Sequence, residues 1–113
     1  MTLKDVVTEL GCTTACGGDR LDQEVTGGYA GDLLSDVMAN AKAGSVWITM
    51  QVHLNIVAVA ELKDLAGILL IQGRRPAEDT LKKAREERLP ILLSDSPAFE
   101  TAGRLFALLN NDR

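Results

Sequence analysis

The spacing of hydrophobic residues predicts where helices and strands begin and end along the chain. In "LKDVVTEL" (3–10) apolar residues recur at spacings of 3, 4 and 7, which is typical of a helix with one packed face. Thr2 is placed to cap this helix and Gly11 to end it. "CTTAC" follows as a short strand, and the turn-rich "GGDRLD" connects it to the rest.

Strand and helix patterns then alternate from residue 23 to residue 109. The predicted strands are "QEVTG", "SVWITM", "ILLIQ" and "PILLS". The predicted helices are "LLSDVMANAK" capped by Asp32, "NIVAVAELKDL", "AEDTLKKAREER" with Pro76 in its first turn, and "SPAFETAGRLFALL". Because continuous apolar strands are buried on both faces, the pattern predicts an α/β fold. We expect a mostly parallel sheet of four to five strands with helices on its faces.

Length and composition restrict the class of protein. The chain has 113 residues, 46% hydrophobic and 25% charged, so we expect residues 1–113 to form a single globular domain. No apolar run approaches the roughly 20 residues of a membrane span, and the N-terminus lacks a signal-peptide core. These features predict a cytoplasmic protein that does not associate with membranes.

The distribution of charge argues against nucleic-acid binding. The net charge is −4, and residues 1–56 hold three basic against seven acidic side chains, while residues 57–113 hold nine of each. Nucleic-acid binding requires a clustered positive surface, which this balance does not provide.

The two cysteines, Cys12 and Cys16, do not form a metal-binding motif. A structural zinc site needs four ligands, and His53 is the only histidine in the chain. Residues four apart on a strand lie about 13 Å from each other, too far for a disulfide. We interpret the pair as reduced thiols, with a redox or metal role as the less favoured alternative. No cofactor and no metal are expected.

A candidate ligand site follows from the predicted parallel sheet, because ligands of such sheets bind beyond the carboxyl ends of the strands. Each predicted strand is followed by polar or glycine residues that lead into a helix N-terminus, where an anion is favoured. The candidate ligand-binding residues are Thr26, Gly27, Gly28, Tyr29, His53, Asn55, Gln72, Gly73, Arg74, Ser94, Asp95 and Ser96, with Arg75 beside Arg74. An alternative interpretation is that these residues only form the turns and caps that any α/β domain needs.

Catalytic motifs are not evident. The chain has no Gly-Lys-Ser/Thr of a P-loop, and "TGGYAGD" lacks the glycine order of a dinucleotide-binding loop. No serine lies in a Gly-x-Ser-x-Gly elbow. Asp32 and Asp36 are one helical turn apart, which suits a metal but equally suits a cap and a solvated acid. We therefore expect no catalytic residues.

The segment from "EVTGG" to "IQGRRP" (24–76) resembles a DRTGG domain, a family named for an Asp-Arg-Thr-Gly-Gly motif. Thr26, Gly27 and Gly28 match the motif, Glu24 keeps an acid, and Val25 stands where the motif has arginine. "LLSDVM", "WIT" with "H.NIVAVA", and "LAGILL" extend the resemblance in order along the chain. Such domains are similar to the N-terminal domain of HPr kinase/phosphorylase, which lacks the kinase P-loop. They also occur beside CBS domains in regulated pyrophosphatases, and they are found in some phosphotransacetylases.

The resemblance implies a regulatory or assembly module, often within dimers, with no chemistry assigned to it. The leading hypothesis is therefore a stand-alone, non-enzymatic regulatory module that binds a small anionic metabolite or nucleotide, a partner protein, or both. The first alternative is a structural homodimerisation or scaffold domain. The second is a small phosphohydrolase or phosphotransferase that uses Asp95 or His53.

Overall fold

The computed structural model describes residues 1–111 and contains one five-stranded sheet with helices on both faces. The strands are β1 (Thr13–Cys16), β2 (Gly27–Ala30), β3 (Ser45–Thr49), β4 (Gly67–Leu70) and β5 (Ile91–Leu93). The helices are α1 (Leu3–Leu10), α2 (Leu34–Asn40), α3 (Asn55–Leu62), α4 (Glu78–Glu86) and α5 (Ala98–Asn111), with a 3₁₀ turn at Gly18–Arg20. The spatial order is β1-β5-β4-β3-β2, so β1 and β2 are the edge strands.

The sheet is parallel except at one edge. Strands β2 to β5 run parallel to their neighbours, whereas β1 pairs antiparallel with β5. The prediction of a mostly parallel α/β fold is confirmed. The physical basis is that β3 and β4 are buried along their whole length, as the continuous apolar runs predict.

The helices form two layers, one on each face of the sheet. Helices α1 and α5 pack on one face, where Val6 and Leu105 lie in one core cluster with Leu69. Helices α2, α3 and α4 pack on the other, where Ile56 joins a second cluster with Ile68. Successive residues of β4 therefore alternate between the two cores, as a strand's side-chain period of two dictates.

Helix α1 is held by the predicted cap. The Thr2 hydroxyl accepts from the backbone N–H of Asp5 at 3.3 Å, and the Asp5 carboxylate accepts from the Thr2 N–H at 2.9 Å. This reciprocal pair is a capping box. Gly11 ends the helix with φ +70°, a left-handed conformation that glycine adopts without strain.

The predicted strand "QEVTG" is wrong, because β2 begins at Gly27 and not at Gln23. Residues 23–25 bond instead to the chain's N-terminus: the Leu3 N–H donates to the Gln23 carbonyl at 3.0 Å, and the Val25 N–H donates to Met1 at 2.8 Å. Val25 is only 4% exposed and belongs to the core under α1. The segment is thus extended for a tertiary reason, and the strand proper starts four residues later.

Two further boundaries differ from the sequence prediction. Asp32 does not cap α2, whose N-cap position is occupied by Leu33 without a side-chain hydrogen bond. Pro76 lies outside α4, whose N-cap is Ala77. Helix α3 ends at Leu62, and the chain turns through Asp64, at φ +54°, into β4.

Candidate functional site

The loops after β4 and β5 lie side by side at the carboxyl edge of the sheet, as the parallel arrangement predicts. The Gln72 N–H donates to the Ser96 carbonyl at 3.0 Å, and the Gly73 N–H donates to the Ser94 carbonyl at 3.0 Å. Gln72 and Gly73 both have positive φ, +56° and +71°, so the chain turns sharply here. This turn places Arg74 next to the loop that contains Ser94.

A cavity of about 130 Å³ opens between these loops. Its lining residues are Gly11, Thr13, Gly73, Arg74, Arg75, Leu93, Ser94 and Asp95. Arg74 and Arg75 are exposed, and within residues 1–111 neither guanidinium forms a side-chain hydrogen bond or salt bridge. Ser94 is a buried lining residue, and its hydroxyl accepts from the Ser96 N–H at 3.1 Å. With Asp95 present, the cavity carries two cationic side chains and one anionic side chain.

A second cavity, of about 220 Å³, is also lined by Arg74, together with Asp32, Met50 and Gln51. The Asp32 carboxylate accepts from the Thr49 hydroxyl at 2.8 Å and from the Met50 N–H at 2.7 Å. The Gln51 side chain donates to the Asp32 carbonyl at 2.9 Å. Arg74 therefore belongs to both cavities and joins them into one polar surface.

Asp32 and Met50 were not among the predicted site residues. With β2 at Gly27–Ala30, Asp32 lies two residues after the end of the strand, and the carboxyl end of β2 faces the same edge as that of β3. The sequence prediction placed this strand at residues 23–27, so Asp32 was not recognised as a residue at the carboxyl end of a strand. With β2 correctly placed, the parallel topology alone would have predicted Asp32 at the same edge as the end of β3.

Thr26, Gly27 and Gly28 do not lie at this edge, which corrects the sequence prediction. Thr26 precedes β2, Gly27 and Gly28 begin it, and Gly27 pairs with Ser45 at the start of β3, so all three lie at the amino edge. The Thr26 hydroxyl donates to the Ala43 carbonyl at 3.2 Å, and the Thr26 N–H donates to Gly44 at 3.0 Å. The physical reason is that residues after a strand and residues that start a strand face opposite edges of a parallel sheet.

The glycines here allow close packing. Gly44 has φ +82°, and a Cβ at that position would overlap the Thr26 hydroxyl. A Cβ at Gly28 would lie 2.8 Å from a methyl group of Leu105, which packs from α5 onto the strand. In this chain the Thr-Gly-Gly segment therefore has a packing role: Thr26 contacts the turn at Gly44, and Gly28 leaves room for Leu105 of helix α5.

Tyr29, His53 and Asn55 are also separate from the Arg74 cavities. The Tyr29 hydroxyl donates to the Asp36 carboxylate at 2.6 Å, and this bond raises the pKa of the phenol. Asp36 also accepts from Asn40 at 2.9 Å, so Asp32 and Asp36 have different partners. His53 and Asn55 are exposed at the start of α3 and line neither of the two cavities.

Both cysteines are free thiols. Burial raises the pKa of Cys12 to about 11, against a partial opposing effect of Arg104. Burial also raises the pKa of Cys16, whose thiol donates to the Leu89 carbonyl at 3.3 Å.

Among residues 1–111, no cluster of three or more His, Cys, Asp or Glu side chains is arranged to hold a metal ion. None of the helices in this range has the length and apolar character that crossing a bilayer requires.

An apolar cavity of about 370 Å³ lies between edge strand β2 and helix α5. Its lining residues are Gly28, Tyr29, Ala30, Ile48, Phe99, Ala102, Gly103, Leu105, Phe106 and Leu109. Phe99 is 90% exposed and Phe106 is 68% exposed. This cavity differs in chemistry from the polar surface at the carboxyl edge.

Comparison with solved structures identifies a protein domain of similar fold. No family model matches the chain, and no curated protein matches it by sequence. The chain is similar in structure to the CBS and DRTGG domains of the regulatory region of Clostridium perfringens pyrophosphatase, complexed with the activator diadenosine tetraphosphate. The TM-score is 0.66 at 9% identity, over 88% of this chain and 44% of that one, so this chain spans less than half of the regulatory region. The shared fold agrees with the resemblance of the sequence to DRTGG domains.

Proposed function

We propose that this protein is a non-catalytic regulatory module that binds a small anionic ligand at the carboxyl edge of its sheet. The observation that carries the proposal is the cavity beside Ser94, where Arg74 and Arg75 carry two positive charges without a salt bridge among residues 1–111. Guanidinium groups suit phosphate and carboxylate because they donate several hydrogen bonds in a fixed plane. Asp95 lowers the net charge of the cavity and is expected to weaken anion binding.

The structural neighbour suggests the class of ligand. The pyrophosphatase regulatory region was crystallised with diadenosine tetraphosphate as its activator. We therefore infer that nucleotides with several phosphates are the first ligands to test. In this chain the second cavity, with Asp32 and Gln51, provides hydrogen-bonding groups beside Arg74 for the non-phosphate part of such a ligand.

A thermal-shift screen with nucleotides, sugar phosphates and acyl phosphates tests this proposal. A ligand at 100 times its Kd stabilises the fold by about 2.7 kcal/mol, a rise of about 10 °C in Tm for a domain of this size. Arg74→Ala should abolish the shift, and Asp95→Asn should increase it because a negative charge leaves the cavity. Arg85→Ala, at an exposed position of α4 outside both cavities, is the matched control. A shift that survives Arg74→Ala, or no shift with any anion, contradicts the proposal.

A phosphohydrolase or phosphotransferase remains the competing enzymatic proposal. Asp95 lines the cationic cavity, but His53 lies on the loop before α3 and does not line it. This separation favours the non-catalytic role. Turnover of a phosphorylated substrate that is lost in Asp95→Ala or in His53→Ala would establish the enzyme instead, whereas turnover unchanged in both variants would exclude it.

We also propose that the protein acts as a homodimer. The specific observation in its favour is the apolar cavity beside α5, where two phenylalanine side chains are largely exposed. Apolar patches of this kind on soluble proteins mark surfaces that bind another molecule. Sedimentation of the 12.1 kDa chain at micromolar concentration tests this: a species of twice that mass supports it, and a monomer contradicts it.

A further inference from the structure

The exposed face of α5 carries large and small side chains in an order that is symmetric about its centre. In "FETAGRLF" Phe99 and Phe106 lie two helical turns apart, and Ala102 and Gly103 lie midway between them. Residues at i, i+3, i+4 and i+7 share one face of a helix. The large side chains therefore flank a small central pair symmetrically about the point between Ala102 and Gly103.

We infer that this face is the surface on which a second copy of the chain docks, with the two α5 helices antiparallel across a twofold axis. The inference rests on the homodimer proposed above and assigns its interface. A twofold axis between Ala102 and Gly103 places Phe99 of each copy opposite Phe106 of the other. Interfaces with twofold symmetry use the same patch on both copies, which requires such a self-complementary pattern.

The small residues at the centre allow the two helices to approach closely. Gly103 is exposed, and a Cβ built there would have no neighbour within 4 Å, so its lack of a side chain is not required by packing within the chain. Phe99, Ala102, Gly103 and Phe106 themselves carry no charge, and Glu100 lies at the margin of the face. The guanidinium of Arg104 is directed to α1, where it donates to the carbonyls of Glu9 at 2.6 Å and Leu10 at 3.4 Å.

The exposed area is appropriate for a dimer core. Taking about 200 Å² for a phenylalanine, the exposed fractions of Phe99 and Phe106 correspond to roughly 300 Å² per copy and roughly 600 Å² per dimer. Specific interfaces bury at least about 1,200 Å² in total. The four phenylalanines would thus supply about half of that lower limit, and the apolar cavity walls from β2 and α5 would add to it.

The cavity itself is suited to receive the partner's side chains. Gly28 and Ala30 of edge strand β2 form part of its wall, and Phe99 and Phe106 border it. Other large exposed hydrophobic side chains, such as Leu62 at 73%, lie on other elements and do not line this cavity. The α5 face is therefore distinguished from isolated exposed residues, which are common on protein surfaces.

Analytical ultracentrifugation of the full chain tests the interface and its register. The wild type should sediment as a dimer at micromolar concentration, while Phe99→Lys and Phe106→Glu should each be monomeric. When the two variants are mixed they should form a heterodimer, because one Lys–Glu pair and one Phe–Phe pair then meet across the axis. Leu62→Ser is the control and should remain dimeric, and circular dichroism checks that every variant is folded.

Each other outcome overturns the inference at a definite step. A monomeric wild type removes the homodimer and with it the interface. A monomeric wild type whose apolar cavity binds a fluorescent apolar dye, with binding lost in Phe106→Glu, assigns the surface to a different occupant. A wild-type dimer that persists in both variants keeps the homodimer and rejects this interface. Monomeric variants that fail to combine reject the antiparallel register.

Discussion

Replacement of Gly44 by alanine tests the structural role assigned to the Thr-Gly-Gly segment. Gly44 has φ +82° and Gly11 has φ +70°, so alanine at either position incurs a similar left-handed backbone cost of about 1–2 kcal/mol. The two sites differ in their surroundings. A Cβ at Gly11 meets nothing within 4 Å, whereas a Cβ at Gly44 overlaps the Thr26 hydroxyl. Gly11→Ala is therefore a matched control for the backbone.

The excess cost at Gly44 can be worked out from the contact. To make room for the new methyl group, Thr26 must rotate and give up its hydrogen bond to the Ala43 carbonyl. The lost bond costs about 0.5–1.5 kcal/mol and an off-rotamer side chain about as much again. We expect Gly44→Ala to destabilise the protein by about 1–3 kcal/mol more than Gly11→Ala does.

A double-mutant cycle in urea measures this contact directly. Thr26→Ala removes the overlapping hydroxyl and leaves only the Thr26 Cβ, 3.5 Å from the added methyl group, which is an ordinary contact. In that background Gly44→Ala should cost no more than Gly11→Ala, so the two changes are strongly non-additive. Equal costs for Gly44→Ala and Gly11→Ala in the wild type, or strict additivity with Thr26→Ala, would refute the reasoning.

Three further predictions concern pH and the helix cap. Burial raises the pKa of Cys12 from 9.0 to about 11, so its thiol stabilises the fold below pH 9 and that contribution is lost as the pH rises to about 11. Cys12→Ala should show a smaller loss of stability over that range in urea titrations, and an unchanged loss would contradict the assignment. The Thr2 backbone lowers the pKa of Asp5, so its contribution is present above pH 3.8 and is lost as the pH falls through the lowered value. Asp5→Asn should therefore lose less stability in acid than the wild type, and equal acid sensitivity would contradict this. Thr2→Ala should cost about 1 kcal/mol of unfolding free energy, and a neutral effect would show that the cap is unimportant.

The fold was predictable because its central strands have a simple physical signature. The buried runs around Trp47 and Leu69 are apolar without alternation, which is expected only where both faces of a sheet are covered. The first helix was predictable because Thr2 and Gly11 provide local capping signals. The loops containing Arg74 and Asp95 were correctly placed together because both follow such strands.

Strand β2 was not predictable from its own residues. "GGYA" has two glycines and a half-exposed pattern, whereas the neighbouring "QEVT" contains Val25, a β-branched apolar residue of the type that strands favour. Val25 is buried because its segment pairs with the chain's N-terminus, and Gly28 is required because Leu105 packs over it. Both contacts join parts of the chain that are distant in sequence. The error moved Thr26 to the wrong edge of the sheet and concealed Asp32.

An NMR titration of backbone amides tests the central claim most directly, because it distinguishes the two edges of the sheet in one experiment. The probe is diadenosine tetraphosphate, the activator found with the structural neighbour, with ATP as a second ligand. We expect saturable shifts centred on Gly73, Arg74 and Asp95, which disappear in Arg74→Ala. Shifts centred on Thr26 and Gly28, or none with either nucleotide, would contradict a nucleotide site at the carboxyl edge.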